Sequence, residues 1–250
     1  MEENEFDQKT ALLQQIYDEC SNIVFFGGAG VSTESGIPDF RSQDGLYSQK
    51  WKYPPETIIS RSFFDARPKD FYDFYREKLI IHGVKPNTAH LTLAKMEEAG
   101  KLKAVVTQNI DGLHQAAGSK CVYELHGSVL RNYCMDCHEF YDVDFIDRES
   151  RTEEGFPRCK KCGGKVKPDV VLYQEGLDQN IIDGAITAIS QADCLIIGGT
   201  SLVVYPAAGL INYFKGKYLV LINKSETETD KYASLVIHDS IGKVLGALKV

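Results

Sequence analysis

The 250-residue chain has an ordinary globular composition, 43% hydrophobic, 25% charged and 10% aromatic, which argues against a disordered, collagenous or low-complexity protein. Its 28 Lys and Arg against 35 Asp and Glu give a net charge of −7, so electrostatic binding of DNA or RNA is not expected. The acidic, polar N-terminus does not have the basic start and apolar core of a secretory signal.

The first part of the chain predicts a helix, a buried strand and a glycine-rich turn. Leu12, Leu13 and Ile16 recur at helical spacing within residues 7–19, and an apolar strand over 22–26 runs straight into Gly27-Gly28-Ala29-Gly30. Residues 35–65, rich in Pro, Gly and Ser, indicate irregular structure. The aromatic stretch 63–81 indicates one or two short helices, and a further helix begins near Pro86 and ends at Gly100.

The second part predicts alternating strands and helices on either side of a Cys-rich segment. Strands are predicted over 103–107, 122–125, 194–197 and 218–222, and helices over 181–190, 206–214 and 241–248. Because the strands carry almost no charge and alternate with helices, they indicate a parallel sheet with both faces covered.

One uncharged stretch, Cys194 to Phe214, is long enough to cross a bilayer. Glycines and a proline interrupt it, which favours a buried strand, a turn and a second buried element. We therefore expect a cytoplasmic protein that does not bind a membrane.

Four of the seven cysteines form two Cys-x-x-Cys pairs, Cys134 with Cys137 and Cys159 with Cys162. Two such pairs offer four thiolates at the spacing of a tetrahedral Zn²⁺ site, whereas a redox motif would need only one pair. With four Cys ligands no coordination position stays open for water, so a structural zinc ion is predicted. The remaining cysteines are interpreted as small buried apolar residues: Cys20, Cys121 and Cys194.

The glycine-rich turn after the first strand is typical of dinucleotide binding, because glycines let the backbone approach a pyrophosphate at a helix N-terminus. The match is imperfect. Thr33 stands where the third glycine belongs, and no acidic residue closes a second strand about 20 residues on. The pattern therefore argues against an ordinary dehydrogenase.

A longer set of motifs runs in a fixed order along the chain. It comprises the run from Gly28 to Arg41 (GAGVSTESGIPDFR), TQNIDGLH at 107–114, LHG at 125–127, the two cysteine pairs and GTSLVVYP at 199–206. This set resembles the sirtuins, NAD-dependent protein lysine deacylases, over about residues 23–245, and most of all their bacterial members. The resemblance implies an α/β fold with a Rossmann-like parallel sheet (1–44, 85–126 and 168–250). It also implies a smaller domain built from a helical insertion (45–84) and a zinc module (127–167).

The resemblance also implies where NAD and an acyl-lysine peptide bind. Phe40 would cover the ribose next to the nicotinamide and exclude water. His126 would be the general base, because an imidazole pKa of about 6.5 suits removal of a ribose hydroxyl proton near neutral pH. The predicted catalytic residues are His126 and Asn109. The predicted NAD-binding residues are Ala29, Gly30, Thr33, Phe40, Arg41, Gln108, Ile110, Asp111, His126, Thr200, Ser201, Asn223 and Ile241.

The implied activity is NAD-dependent deacetylation of protein lysines, which yields nicotinamide, free lysine and O-acetyl-ADP-ribose. Two alternatives use the same NAD site: mono-ADP-ribosyl transfer to another acceptor, and deacylation of a different neutral acyl group. A third is a non-catalytic NAD-binding protein whose zinc module recruits partners. His126, Asn109 and Asp111 together argue against the third, because binding alone does not need a base.

Three segments depart from the family pattern. Gly27 stands where a Thr is usual before Gly-Ala-Gly, which should loosen one contact and leave the chemistry intact. The segment Leu172-Tyr173-Gln174-Glu175 replaces a usual Phe-Gly-Glu, and in the family this backbone and the stretch 203–204 hold the peptide as an added β-strand. Gln174 is therefore expected to affect which peptides bind and to leave the reaction unchanged. Tyr75 stands where desuccinylating members carry Arg three residues after a Tyr (Tyr72 here), and Arg76 is one position off, so neutral acyl groups are expected to be preferred.

Overall fold

The computed structural model describes residues 3–42, 45–150 and 153–250. Its strands are β1 (Ile23–Gly27), β2 (Leu102–Thr107), β3 (Val122–Glu124), β4 (Gly127–Cys134), β5 (Phe140–Tyr141), β6 (Val166–Val170), β7 (Cys194–Gly198), β8 (Tyr218–Ile222) and β9 (Leu235–Ile237). Six of them form a parallel sheet in the order β3-β2-β1-β7-β8-β9. The chain winds outward from β1 in both directions, which is the Rossmann arrangement, and the predicted fold class is confirmed.

Helices cover both faces of this sheet. The α-helices of the described residues are α1 (Glu3–Glu19), α2 (Pro55–Ile58), α3 (Arg61–Ala66), α4 (Pro68–Lys78), α5 (Thr88–Glu98), α6 (Leu113–Ala117), α7 (Val143–Glu149), α8 (Gln179–Gln191) and α9 (Ile241–Gly246). Phe25 packs with residues of α1, α5 and α9 on one face, and its neighbours Val24 and Phe26 pack with α8 on the other. Successive side chains of a strand point to opposite faces of the sheet, and here helices cover both faces. All of β1 is therefore buried, which explains its unbroken apolar sequence.

The smaller antiparallel sheet, in the order β5-β4-β6, shares a second core with α2, α3, α4 and α7. Aromatic side chains of α3 and α4 fill this core, and five of them are almost completely buried: Phe64, Phe71, Tyr72, Phe74 and Tyr75. The predicted domain boundary at 167/168 falls inside β6. The division of the chain into two domains stays a prediction.

Several elements differ from the sequence-based expectation. The stretch 35–65 is not wholly irregular, because α2 and the start of α3 lie within it. Ser60 caps α3 by accepting a hydrogen bond from the Phe63 N–H, and Pro55 is the first residue of α2, a position that favours proline. The helix expected over 206–214 is a 3₁₀ helix at Ala207–Tyr213, and the three-residue strand β9 was not predicted.

Within residues 3–42, 45–150 and 153–250, no helix is both long and apolar enough to span a bilayer. The cytoplasmic location expected from the sequence stays a prediction.

Candidate active site

A cleft of about 1270 Å³ opens where the strands of the parallel sheet end, at the side where the chain leaves β1, β2, β3, β7 and β8. The strand order reverses at β1, and such a switch point is where open α/β sheets bind their ligands. Every residue that the sequence predicted for catalysis or NAD binding lines this cleft: Ala29, Gly30, Thr33, Phe40, Arg41, Gln108, Asn109, Ile110, Asp111, His126, Thr200, Ser201, Asn223 and Ile241.

The turn after β1 differs from an ordinary dinucleotide-binding turn. Two 3₁₀ helices, Ala29–Val31 and Thr33–Ser35, follow it, whereas an ordinary Rossmann turn leads into an α-helix. A Cβ on Gly30 would lie 2.8 Å from the Cα of Gly199, and the Gly30 N–H donates to the Gly199 carbonyl at 2.8 Å. Glycine is therefore needed at this position because the turns after β1 and β7 pack directly on each other.

Ser32 joins two of the predicted site residues. Its hydroxyl donates to Asp111 Oδ2 at 2.7 Å and accepts from Asn109 Nδ2 at 3.0 Å. Asp111 Oδ1 accepts the Leu113 N–H at 2.9 Å. Ser32 and Asn109 are buried, so this network fixes the amide and carboxylate in one arrangement at the base of the cleft.

A second chain of hydrogen bonds crosses the ends of β2, β7 and β8. Gln108 Nε2 donates to Thr200 Oγ1 at 3.1 Å, and the Thr200 N–H donates to Asn223 Oδ1 at 3.0 Å. The Asn223 Nδ2 group is buried and has no hydrogen-bond partner among the described residues. A buried donor without a partner is costly, so this group is free for a ligand hydroxyl or ring nitrogen.

His126 follows β3 and has one ring nitrogen already engaged. Its Nδ1 lies 3.0 Å from the backbone carbonyl oxygen of Gln108. A carbonyl only accepts, so in the neutral ring Nδ1 carries the proton and Nε2 is left as the proton acceptor. Burial lowers the pKa of His126 below its ordinary value of 6.5, and the hydrogen bond to Gln108 opposes this only in part. The imidazole is therefore neutral at pH 7 and able to act as a base.

Two other histidines, His90 and His114, serve capping and packing. His90 completes the N-terminal cap of α5, where its Nδ1 accepts the Asn87 N–H. His114 is buried against His90, with ring centroids 4.7 Å apart. Burial lowers the pKa of His114 to about 3, so this imidazole stays neutral over the physiological range.

The loop that carries Phe40 and Arg41 folds back on itself. The Leu46 N–H donates to the Asp39 carbonyl at 2.8 Å, and the Tyr47 N–H donates to the Phe40 carbonyl at 2.9 Å. Phe40 is partly buried against the aromatic core, whereas Arg41 is exposed. On the opposite side of the cleft, Ile241 begins α9 and is buried.

The segment after β6 contains the Gln174 that departs from the family pattern. Gln174 has φ +79°, in the left-handed region that favours glycine, and its Oε1 accepts the Ser62 N–H at 2.9 Å. Glu175 lies beside it and pairs with Arg61 at 3.0 Å and with Lys167 at 3.0 Å. These contacts fix the segment against the start of α3.

The four cysteines of the two pairs converge on one point. Their sulfur atoms all lie within 4.8 Å of one another. Thiolates bound tetrahedrally to Zn²⁺ at about 2.3 Å are about 3.8 Å apart, so these residues fit a zinc ion. The Tyr141 hydroxyl donates to Cys159 Sγ at 3.2 Å, a contact that orients a ligand from outside the metal shell.

Sequence reasoning gave no side-chain role to three cleft residues whose hydroxyls form hydrogen bonds there: Ser32, Tyr47 and Tyr173. Ser32 carries a signal, because it is a hydroxyl residue at the end of the glycine-rich turn, where strand ends place ligand-binding groups. Tyr47 and Tyr173 carry none, since their hydroxyls meet only through the tertiary fold, at 3.0 Å.

Comparison with known proteins agrees with this geometry. The model of the Sir2 family matches residues 28–206. The chain belongs to the Sir2 family. It is 67% identical over 243 residues to an NAD-dependent protein deacetylase of Clostridium perfringens, covering 96% of this chain and 98% of that one.

Two solved Sir2 structures share the fold. One, with a deacetylated p53 peptide and 3′-O-acetyl ADP ribose, superposes with a TM-score of 0.88 at 38% identity and covers 96% of each chain. The other, bound to a propionylated peptide, has a TM-score of 0.85 at 38% identity and covers 95% of each chain. This Sir2 protein therefore shares its fold with these two structures over 95–96% of its length.

Proposed function

We propose that this Sir2 protein is an NAD-dependent protein lysine deacetylase that releases nicotinamide, free lysine and O-acetyl-ADP-ribose. One observation carries the proposal: a neutral imidazole with a fixed tautomer, His126, shares one cleft with the glycine turn, the Ser32–Asn109–Asp111 network and Asn223. A protein that only stored or sensed NAD would need the binding groups but not the base. The relatives named above, a deacetylase and a product complex, support the same activity.

NAD would lie along the strand ends. The turn residues Ala29, Gly30 and Thr33 would face its phosphates and a ribose, and Thr200, Ser201, Asn223 and Ile241 its adenosine half. The free Nδ2 of Asn223 suits a ribose hydroxyl. Gln108 and Asn109 would hold the other ribose.

The nicotinamide would bind at Ile110 and Asp111. Each Asp111 oxygen accepts one internal hydrogen bond and keeps a second lone pair, so the carboxylate can also accept from a carboxamide NH₂. Phe40 and Arg41 would close the site over the adjoining ribose and keep water from the reacting carbon.

The acyl-lysine peptide would add as a strand between residues 174–176 and 203–205. The backbone groups of Gln174, Gly176 and Val203 make no hydrogen bonds within the described parts of the chain, whereas both backbone groups of Tyr173 are used by Ile59 and Arg61. Free groups at alternate residues are what strand addition requires, because every second residue of a strand faces the same neighbour. Main-chain bonds would supply affinity here, and side chains would tune it.

In the reaction, the acyl oxygen attacks the ribose carbon as nicotinamide leaves, and a ribose hydroxyl then attacks the acyl carbon. His126 Nε2 would remove the proton from that hydroxyl, since Nδ1 is held by Gln108. Water completes the balance: NAD, acetyl-lysine and water give nicotinamide, lysine and O-acetyl-ADP-ribose.

A mass-spectrometric assay tests the activity. The enzyme is incubated with an acetyl-lysine peptide, with and without NAD. We expect loss of the acetyl group only with NAD, matched by equal amounts of nicotinamide and O-acetyl-ADP-ribose. Release of nicotinamide with the peptide still acetylated would instead indicate ADP-ribosyl transfer. NAD binding without turnover of acetyl or other neutral acyl peptides would overturn the proposal in favour of a binding protein.

The acyl group is expected to be neutral. Tyr72 and Tyr75 are buried in the small core, and Arg76 donates to the Ser150 carbonyl and to Asp73, so none of the three lines the cleft. A succinyl carboxylate would therefore lose its hydration without gaining a partner from these three residues. The one charged residue of α4 that lines the cleft, Lys78, already pairs with Glu77 at 3.1 Å. We expect kcat/KM for desuccinylation to be about 10- to 100-fold below that for deacetylation on one peptide. Butyryl-lysine, neutral and of similar length, is the control, and equal rates for succinyl and acetyl would contradict the prediction.

A further inference from the structure

Two tyrosine hydroxyls meet at the wall of the cleft. Tyr47 Oη and Tyr173 Oη are 3.0 Å apart, although the residues are 126 positions apart in the chain. Tyr47 belongs to the loop that carries Phe40 and Arg41, and Tyr173 belongs to the segment beside which the peptide would pair. Among the described residues, this is the one hydrogen bond that joins residues 39–49 to residues 171–176.

Tyr47 contacts both loop residues that are expected to face NAD, Phe40 and Arg41. Its N–H donates to the Phe40 carbonyl, and the two rings pack edge to face with centroids 5.6 Å apart. The Arg41 guanidinium carbon lies 5.4 Å from the centroid of the Tyr47 ring. A shift of the Tyr47 side chain would therefore move Phe40 and Arg41, the two residues expected to cover the ribose next to the nicotinamide.

Tyr173 is held at the other end of the bond. Its N–H donates to the Ile59 carbonyl at 3.0 Å, and its carbonyl accepts the Arg61 N–H at 2.9 Å. The next residue, Gln174, has the free backbone groups expected to pair with the peptide. The Tyr173 hydroxyl is thus carried by a fixed backbone that is directly adjacent to the second substrate.

The bond joins two neutral groups. Burial raises the pKa of Tyr47, and the contact with the Tyr173 hydroxyl raises it further. The Tyr47 phenol therefore stays protonated near neutral pH, and one of the two hydroxyls donates to the other.

We propose that Tyr47 and Tyr173 are positioning residues whose hydroxyl pair couples NAD binding to acyl-lysine peptide binding. The inference rests on the proposed function, because it needs both ligands in this cleft. A peptide paired with residues 174–176 would restrain Tyr173, which would hold Tyr47 and with it Phe40 and Arg41 over the dinucleotide. Coupling between two binding sites is reciprocal, so each ligand would tighten the other by the same factor. One neutral hydrogen bond corresponds to a factor of about two to ten.

The test is a double-mutant cycle on peptide binding, measured with a ligand that cannot react. The dissociation constant of an acetyl-lysine peptide is measured by calorimetry with and without saturating ADP-ribose, which has the ribose under Phe40 but no nicotinamide to lose. The proteins are the natural chain, Tyr47→Phe, Tyr173→Phe and the double variant, all of which keep both rings. Tyr213→Phe is the matched control, because Tyr213 is half exposed, lies outside the cleft and has a hydroxyl without a hydrogen bond to any described residue.

We expect ADP-ribose to tighten peptide binding about two- to tenfold in the natural chain and in Tyr213→Phe. In Tyr47→Phe and in Tyr173→Phe, ADP-ribose should no longer tighten peptide binding. The double variant should show the same loss of coupling as either single variant. A coupling factor that survives in Tyr47→Phe or Tyr173→Phe, or that is absent from the natural chain although both ligands bind, would overturn the inference. Failure of the natural chain to bind either ligand would instead overturn the proposed function.

Discussion

Replacement of His126 by alanine is expected to lower deacetylation about 10²- to 10⁴-fold while NAD still binds. This loss corresponds to about 3–5 kcal/mol of activation free energy. The loss is expected because one ring nitrogen acts as the base. Nδ1 is hydrogen-bonded to the Gln108 carbonyl, so Nε2 is the nitrogen of this ring that can accept a proton. The measurement is steady-state kcat with an acetyl-lysine peptide, together with the dissociation constant of NAD.

A partial reaction separates loss of the base from loss of the site. In the proposed order, nicotinamide leaves before the ribose hydroxyl is deprotonated. His126→Ala should therefore still exchange labelled nicotinamide into NAD in the presence of acetyl peptide, at a rate well above its own rate of deacetylation. If the variant deacetylates at nearly the natural rate, His126 is not the base. If it neither exchanges nicotinamide nor binds NAD, the residue serves the structure of the site.

The pH dependence follows from the same residue. Only the neutral imidazole can accept the proton, so kcat should fall as the pH drops through the pKa of His126. Because burial lowers that pKa, the acidic limb should have its midpoint below 6.5, and turnover should be fully developed at pH 7. A midpoint above 7 would show that the carbonyl hydrogen bond outweighs burial in the enzyme–substrate complex.

Much of this site could be predicted because ligand residues in a parallel sheet sit at strand ends. β1, β7 and β8 are buried on both faces, so each is an apolar run that stops abruptly, and the polar residues that follow are conspicuous in the sequence. Thr200 follows β7, Asn223 follows β8, and Gln108 follows the largely buried β2, so the family resemblance and the strand pattern point to the same three residues. Their mutual hydrogen bonds could not be predicted, because the register between strands distant in sequence is set by the fold.

The errors have equally physical origins. Apolar spacing cannot separate a 3₁₀ helix from an α-helix over seven residues, which is why residues 206–214 were predicted as a helix without its 3₁₀ geometry. The glycine pattern at 27–30 gave no sign that Gly30 also packs against Gly199, a contact that depends on the turn after β7. The Tyr47–Tyr173 pair has no local pattern at all, since each tyrosine alone is typical of an aromatic core.

Removal of zinc should abolish activity although no zinc ligand lines the cleft. Replacing Cys159 by serine is expected to lower zinc content from one ion per chain to none and to destabilise the module by more than about 4 kcal/mol. Cys134 and Cys159 are buried within the core that the small sheet shares with α4 and α7, so their loss would open that core.

The damage should reach the active site through β4. This strand ends at Cys134 and begins at Gly127, the residue directly after His126, and the Val129 N–H donates to the Ile110 carbonyl at 2.9 Å. A disordered zinc module would thus release both the residue after His126 and the backbone of Ile110, which is proposed to bind nicotinamide. Activity should fall with zinc content, even though a zinc ion with four Cys ligands keeps no open position for substrate.

The measurements are zinc content by mass spectrometry, denaturant unfolding and the deacetylation assay. Cys121→Ser is the matched control, because this partly buried cysteine lies outside the cluster, and it should keep its zinc and its activity. Full deacetylation by a zinc-free Cys159→Ser protein would contradict the structural role. If zinc were catalytic, chelation would remove activity and zinc would restore it without any change in folding. A structural ion instead requires the small sheet to refold, so activity and the unfolding transition of the small sheet should recover together.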